Sequence, residues 1–220
     1  MIDFEIYSDI RQIFPEISIG ILTGEIKNSH HHPILWKIID DESLKFRENN
    51  TFESIRDIKA IKDGKMAYRS LGKDPNRYRV SAEALLRRIV KGHSLYHIHT
   101  LVDILNLVSI ETGITIGGFD MDLVQLPIEL GIGLEDEAFE AIGRGSLNIH
   151  RLPVYRDQIG AIGSPTSDCT RTMLRLETTS FLMIVTGFYG DSYLRLCLRK
   201  LEDYLVKFAE GKNLKDQINY

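Results

Sequence analysis

Two parts of the sequence combine residue types that could position a water molecule or a ligand. The segment SPTSDCTRT (164–172) holds five hydroxyl side chains and the carboxylate of Asp168. Hydroxyls at this density either cap turns and bridge to neighbouring strands, or position a water molecule or a ribose hydroxyl. Asn106 lies within an otherwise apolar helical stretch, where a buried amide without a partner would cost about 1–3 kcal/mol. Its partner is therefore either inside the protein or on a ligand.

The segment YRSLGKDPNRYR (68–79) concentrates positive charge around a Gly-Lys-Asp-Pro-Asn turn. From Arg69 to Lys91 the chain holds seven cations and two anions, although the formal net charge of the whole chain is -4. A basic segment on an acidic body is typical of a phosphate-binding surface. Charge alone favours a solvated helix face, and the acidic total excludes only a protein that is basic all over.

Metal binding and nucleophilic catalysis have little support in the sequence. The adjacent side chains of His30, His31 and His32 do not converge on one ion with zinc geometry. Cys169 and Cys197 form no spaced motif, which suggests a reducing cytosol. No nucleophile elbow, phosphate-binding glycine loop or dinucleotide fingerprint is present. We therefore expect neither a metal nor a cofactor.

The composition is that of an ordinary globular protein. Apolar residues make up 43% and charged residues 26% of the 220 positions, which predicts one domain over residues 1–220. The N-terminal segment (1–12) is acidic where a signal peptide would be basic. The most apolar stretch, FLMIV (181–185), is too short to span a bilayer. We expect a cytoplasmic protein with no membrane partner, and the sequence leaves its oligomeric state open.

The helices that would carry these residues are predicted mainly in the first half of the chain. A helical region is predicted to start with HHHPILWKIIDDESLKF (30–46), in which Pro33 takes a first-turn position that suits proline. Ser81 is predicted to cap another helix, and Thr100 to cap the helix that contains Asn106 and ends at Gly113. A last helix is predicted to begin near residue 191, with apolar residues every three or four positions.

Strands are predicted near the N-terminus and in the second half of the chain. Residues 3–7 and 17–26 have strand character, and short strands follow residue 113, separated by Gly, Pro, Asp and Asn turns. The later strands include ITIGGFD (114–120), SFLMIVTGF (180–188) and TMLRLET (172–178). This order of elements predicts an α+β fold with a mostly antiparallel, curled or barrel-like sheet and helices packed to one side.

Several spaced motifs resemble one known domain. The stretch VDILNLVSIETGITIGGFDMD (102–122) resembles part of the tRNA-binding and editing domain in the beta chain of bacterial phenylalanyl-tRNA synthetase. VYRDQIGAIGSPTSD (154–168) is similar to the strand and Gly-Ala-x-Gly turn of that domain. YRSLGKDPNRYRVSAEALLRR (68–88) resembles the signature of its stand-alone homologues. The resemblance covers roughly residues 60–190 and implies a ββα-layered α+β fold with a barrel-like, mostly antiparallel β core flanked by helices.

The resemblance also implies a reaction. The synthetase domain hydrolyses tyrosine mischarged on phenylalanine tRNA by positioning water at an ester, which needs no Ser or Cys nucleophile. Asn106 matches the asparagine of the family's pocket, and we expect Asn106 and Asp168 to be catalytic. The expected substrate pocket comprises Gly117, Gly118, Asp120, Gly160, Ala161, Gly163, Thr166, Ser167 and Glu177.

Two positions depart from the pattern of the synthetase domain. Leu105 stands where the synthetase has Thr, and Gly117 stands where it has the pocket His. The loss of both polar groups predicts a larger and less polar pocket, so specificity for tyrosine is not carried over. No segment resembles an aminoacylation domain, and tRNA charging is not expected.

Three functional hypotheses follow. The first is a free-standing editing hydrolase that deacylates mischarged aminoacyl-tRNA. The second is a non-catalytic RNA-binding module, in which cations contact phosphates and tyrosines stack on bases. The third is a pocket for a free amino acid or nucleoside. The first two predict tRNA or aminoacyl-tRNA as the partner, with contacts from Tyr68, Arg69, Lys73, Arg77, Tyr78 and Arg79.

Overall fold

The strands of the computed structural model, which describes residues 1–220, form three sheets. The strands are β1 (Phe4–Ile6), β2 (Ser18–Glu25), β3 (Ile116–Asp120), β4 (Ile128–Ile132), β5 (Glu140–Ala141), β6 (Gly145–Ser146), β7 (Pro153–Arg156), β8 (Ala161–Ser164), β9 (Ser167–Asp168), β10 (Ser180–Gly187) and β11 (Lys212–Asn219). The first sheet has the order β1-β4-β7-β8-β9, and only its β1–β4 pair is parallel. The second sheet, β11-β2-β10-β3, is antiparallel throughout. Strands β5 and β6 form a separate hairpin.

Seven α-helices complete the fold, together with two 3-10 turns at Met121–Leu123 and Thr170–Thr172. The helices are α1 (Ser8–Ile13), α2 (Pro33–Asn49), α3 (Phe52–Asp57), α4 (Lys59–Ser70), α5 (Ser81–Val90), α6 (Thr100–Thr112) and α7 (Leu194–Ala209). Helix α6 is apolar on nearly all sides, and it packs among α2, α5 and α7. No helix combines the length and the apolar character needed to cross a membrane.

Strand β10 separates two hydrophobic layers because successive side chains of a strand point to opposite faces. Phe181, Met183 and Val185 pack with the helices, whereas Leu182 and Ile184 pack against the five-stranded sheet. The four-stranded sheet is therefore the middle layer between the helices and the other sheet. The predicted ββα-layered α+β fold with mostly antiparallel strands is confirmed, although neither sheet closes into a barrel.

One predicted strand and two predicted helix caps are wrong. Residues 172–178 form no strand; Thr172 ends the second 3-10 turn, and the residues after it contribute only an isolated bridge between Met173 and Phe119. Helix α6 is capped by His99, whose Nδ1 accepts a hydrogen bond from the N–H of Val102, and not by Thr100. Imidazole nitrogen is an uncommon cap, so residue-type preferences pointed to the hydroxyl instead.

The second wrong cap is that of α5, and two further differences from the prediction lie at α7 and β11. Ser81 is the first residue of α5 and Val80 its cap. Helix α7 begins at Leu194, three residues later than predicted. Strand β11 has a largely polar sequence without clear alternation, and it forms by pairing with β2 along the edge of the second sheet.

Candidate functional site

A cleft of about 710 Å³ opens between α5, α6, β3 and the turn that joins β8 to β9. Its size is within the range of ligand-binding pockets, about 300–1,000 Å³. The lining combines apolar side chains of α6 with hydroxyl, amide and guanidinium groups. Five residues predicted from the sequence lie in this lining: Asn106, Gly118, Thr166, Ser167 and Asp168.

Asn106 has a side-chain amide that makes no hydrogen bond within the protein. It lies half-buried on α6, on the same wall of the cleft as Val102, Leu105 and Ser109. The sequence left open whether this amide serves the core or a ligand. Because no internal group satisfies it, the amide is available to a water molecule or a ligand in the cleft.

Asp168 is held in the cleft wall by the backbone of β3. Its Oδ2 accepts a hydrogen bond of 3.0 Å from the N–H of Gly118, and its Oδ1 is buried without a partner. Removal from water disfavours the charged form, so burial raises the pKa of the Asp168 carboxyl to about 7, while the bond from Gly118 opposes this rise. The carboxyl therefore changes its charge close to neutral pH.

Glycines on both neighbouring strands make room for this carboxyl. A Cβ on Gly163 would lie 3.0 Å from Oδ1 of Asp168 and 2.6 Å from the ring of Phe119. A Cβ on Gly117 would lie 3.1 Å from the same ring. These two glycines do not line the cleft; they allow Asp168 and Phe119 to approach the sheet backbone.

Replacing Asp168 with Asn should change how stability depends on pH. Because the pKa of Asp168 in the folded protein, about 7, lies above its ordinary value of 3.8, the folded state keeps a proton that the unfolded chain loses. The wild type therefore loses stability as pH rises through this window and is constant above it. We expect the melting temperature of Asp168→Asn, relative to the wild type, to rise by about 5 °C between pH 5 and pH 8.

Thermal denaturation across this pH range measures the effect. The control is Asp122→Asn, which alters an exposed carboxylate. A melting-temperature difference between Asp168→Asn and the wild type that stays constant with pH would show that Asp168 does not titrate in this window.

The remaining residues of the expected pocket lie outside the cleft lining. They are Gly117, Asp120, Gly160, Ala161, Gly163 and Glu177. Asp120 is the last residue of β3, and its carboxylate already has partners within the protein. It accepts hydrogen bonds from the hydroxyl of Thr178 (2.6 Å) and the N–H of Asp122 (3.1 Å). Gly160 lies in a turn whose N–H groups bond to the buried carboxylate of Asp157. Glu177 is exposed to solvent.

Three arginines that were not predicted as site residues also line the cleft. They are Arg88 on α5, Arg144 in the β5–β6 hairpin and Arg175 after the second 3-10 turn. None of them forms a salt bridge, and Asp168 is the only carboxylate in the lining. Burial lowers the pKa of His99, so this cleft residue is neutral at pH 7. The charged lining therefore favours an anionic ligand.

The basic segment 68–79 runs from the end of α4 into the turn before α5. Tyr68 is completely buried, and its hydroxyl is 2.7 Å from that of Thr166 in the cleft wall. Its ring has no exposed face on which a base could stack, so Tyr68 is a core residue and not a stacking residue. Asp74 shapes the turn by accepting a hydrogen bond from the N–H of Asn76.

The four cations of this segment remain without acidic partners. Arg69, Lys73, Arg77 and Arg79 form no salt bridge. Lys73 and Arg77 lie over the ring of Tyr78, at 4.2 and 5.5 Å from its centroid. Burial, with Arg77 and then Arg151 nearby, lowers the pKa of Lys73. A cluster of positive side chains without acidic partners is suited to binding the phosphate groups of a nucleic acid.

Comparison with known proteins gives the family of the chain. A family model described as the B3/4 domain matches residues 64–201, which is more than half of the sequence. Among solved structures, an N-terminal fragment of the phenylalanyl-tRNA synthetase beta subunit from Pyrococcus horikoshii has a similar fold, with a TM-score of 0.51 and 13% identity. The match covers 100% of this chain and 54% of that fragment, so the chain spans about half the length of this relative. No curated protein matches the sequence. The chain therefore belongs to the B3/4 domain family.

Proposed function

We propose that this protein binds tRNA and hydrolyses the ester bond of mischarged aminoacyl-tRNA in the cleft. The observation that carries the proposal is the amide of Asn106, which has no partner in the protein and faces a cleft. Asp168 lies in the same cleft and changes its charge near neutral pH. A positioned amide can orient the attacking water, and a carboxyl that titrates near neutral pH can transfer a proton, so the two groups suit ester hydrolysis without a protein nucleophile.

Each part of the cleft suits one part of an aminoacyl-tRNA end. Leu105, Val102 and Leu174 supply apolar surface for the side chain of the amino acid. The unpaired arginines attract the phosphates that precede the terminal ribose. In hydrolysis, the water oxygen bonds to the ester carbon, the bond from that carbon to the ribose oxygen breaks, and a proton passes to the ribose oxygen. Asn106 would orient the water in this step.

A deacylation assay over a panel of correctly and incorrectly charged tRNAs tests the proposal. We expect release of the amino acid from at least one mischarged tRNA, faster than its spontaneous hydrolysis. The panel should include apolar and hydroxylated amino acids, because Leu105 and Gly117 stand where the synthetase domain has polar pocket residues, and specificity for tyrosine is therefore not carried over. Full survival of every aminoacyl ester in the panel would rule out the hydrolase.

The second candidate function is RNA binding without catalysis. The four unpaired cations at positions 69, 73, 77 and 79 favour it, since each can neutralise a phosphate of the RNA backbone. Tyr78 is half-buried beneath Lys73 and Arg77, so we assign it to holding these cations.

Replacing Lys73 and Arg77 together with Ala should weaken RNA binding at every sequence tested. The plot of log affinity against log salt should become shallower by about 1 for each lost phosphate contact. Filter binding of a transfer RNA at several salt concentrations measures the slope. A matched control replaces Lys45 and Lys207, two cations on other helices, with Ala. Equal slopes for the wild type and the double variant would exclude phosphate contacts by Lys73 and Arg77.

A further inference from the structure

The mouth of the cleft carries an exposed aromatic ring. Tyr96 lies in the loop between α5 and α6, lines the cleft and is 67% exposed. Ile98 in the same loop and Ile142 in the β5–β6 hairpin also line the cleft and are 51% and 42% exposed. Large apolar side chains gathered at a cleft mouth are typical of a ligand-binding surface.

The loop that carries Tyr96 is anchored to the core by the next residue, His97. The ring of His97 stacks on Trp36, with 3.4 Å between ring centroids and 9° between ring planes. Trp36 in turn donates a hydrogen bond of 2.6 Å from Nε1 to the buried carboxylate of Asp103. The neighbouring stack therefore fixes the backbone of the loop, and the exposed ring of Tyr96 has a defined position at the cleft mouth.

A cation covers one face of the Tyr96 ring. The guanidinium of Arg88 lies 4.1 Å from the ring centroid, and its Nε donates a hydrogen bond of 2.7 Å to the carbonyl of Ser94. Arg88 has no acidic partner, so its remaining N–H groups are available to an anion. The ring and the guanidinium together combine a stacking surface with a phosphate donor.

We propose that Tyr96, backed by Arg88, is the stacking site for a nucleobase whose sugar lies in the cleft. This inference rests on the proposed function, because it places the terminal nucleotide of the RNA that carries the aminoacyl ester. Flat aromatic faces stack on any base, and arginine binds the adjoining phosphate. The cleft, at about 710 Å³, has room beyond the ring for the ribose and its acyl group.

Fluorescence of 2-aminopurine tests the stacking site directly. The probe is a short single-stranded RNA whose 3′-terminal base is 2-aminopurine, since this base loses fluorescence when it stacks. We expect quenching by the wild type and by Tyr96→Phe, which keeps the ring. We expect Tyr96→Ala to lose the quenching and to bind the RNA about 10-fold more weakly, the effect of removing one stacked base.

The control variant is Tyr220→Ala, which removes a tyrosine of similar exposure, 63%, outside the cleft lining. It should quench and bind as the wild type does. A second arm uses free 2-aminopurine riboside: quenching that depends on Tyr96 would identify a free nucleoside as a ligand of the same site. Quenching by Tyr96→Ala equal to that by the wild type, in both arms, would overturn the proposal.

The same variants separate this inference from the hydrolase proposal. Quenching that depends on Tyr96, together with no deacylation by the wild type, would leave the base site standing and reject the hydrolase. Deacylation by the wild type, together with quenching unchanged in Tyr96→Ala, would reject the base site and leave the hydrolase standing.

Discussion

Replacing Asn106 with Ala should lower the rate of deacylation about 100-fold and leave the free energy of unfolding almost unchanged. Loss of one positioned hydrogen-bonding group at a reacting centre typically costs about 100- to 1,000-fold in kcat. The folded state should be little affected, because the Asn106 amide makes no internal hydrogen bond and is only half-buried. Single-turnover deacylation of the aminoacyl-tRNA that the panel identifies as a substrate measures the rate. Chemical denaturation measures the free energy of unfolding.

Two further variants decide whether the effect belongs to the cleft. Asn49→Ala removes an exposed asparagine near the end of α2, and it should deacylate at the wild-type rate. Asn106→Asp keeps the shape of the side chain and loses the N–H donors, so it shows whether donation to the reacting group is required. Wild-type activity in Asn106→Ala would assign the positioning of water to another residue.

Replacing Lys65 with Met should destabilise the protein by about 3–5 kcal/mol, the usual effect of removing one partner of a buried ion pair. Lys65 on α4 and Glu83 on α5 are 7% and 1% exposed in their side chains, and Nζ lies 3.2 Å from both carboxylate oxygens. The variant leaves the Glu83 carboxylate buried, with only Arg87 at 3.9 Å as a partner. Guanidinium denaturation measures the loss.

A double-mutant cycle tests whether charge pairing is the reason. Glu83→Leu alone should also be destabilising, whereas Lys65→Met combined with Glu83→Leu should recover much of the loss, because no unpaired charge then remains. Additive losses in the double variant would mean that packing and not pairing holds the two helices. The pair matters for function because α4 and α5 flank the basic turn, whose position it stabilises.

Much of the fold could be predicted because its signals are local. The apolar run at 180–188 and the Gly-punctuated strands before it identified the sheet, and the periodic leucines after residue 193 identified α7. Strand β11 and the 3-10 turn at Thr170–Thr172 were not predictable in this way. Strand β11 forms by pairing with β2 at the edge of the second sheet. The 3-10 turn lies in a segment of residues with strand preference that has no partner strand beside it.

The candidate site was predictable only in part. Residue type drew attention to Asn106 and to the hydroxyl-rich segment with Asp168, the family resemblance implied their catalytic role, and both line one cleft. Tyr68 was misassigned because an aromatic residue among cations fits both a stacking surface and a core. Its hydroxyl lies 2.7 Å from that of Thr166, which is 98 positions away, and its ring packs in a cluster with residues from 139 to 169.

The sequence by itself determined most of the helices and strands and the presence of a basic turn, since these depend on periodicity and on residues close in the chain, and the ββα layering was implied by the family resemblance. Only the tertiary structure decided which side chains share the cleft. Arg88, Arg144 and Arg175 come from three distant segments, and Asp168 meets the backbone of Gly118 across 50 positions. Such contacts are set by how the sheets and helices pack, so no local pattern records them.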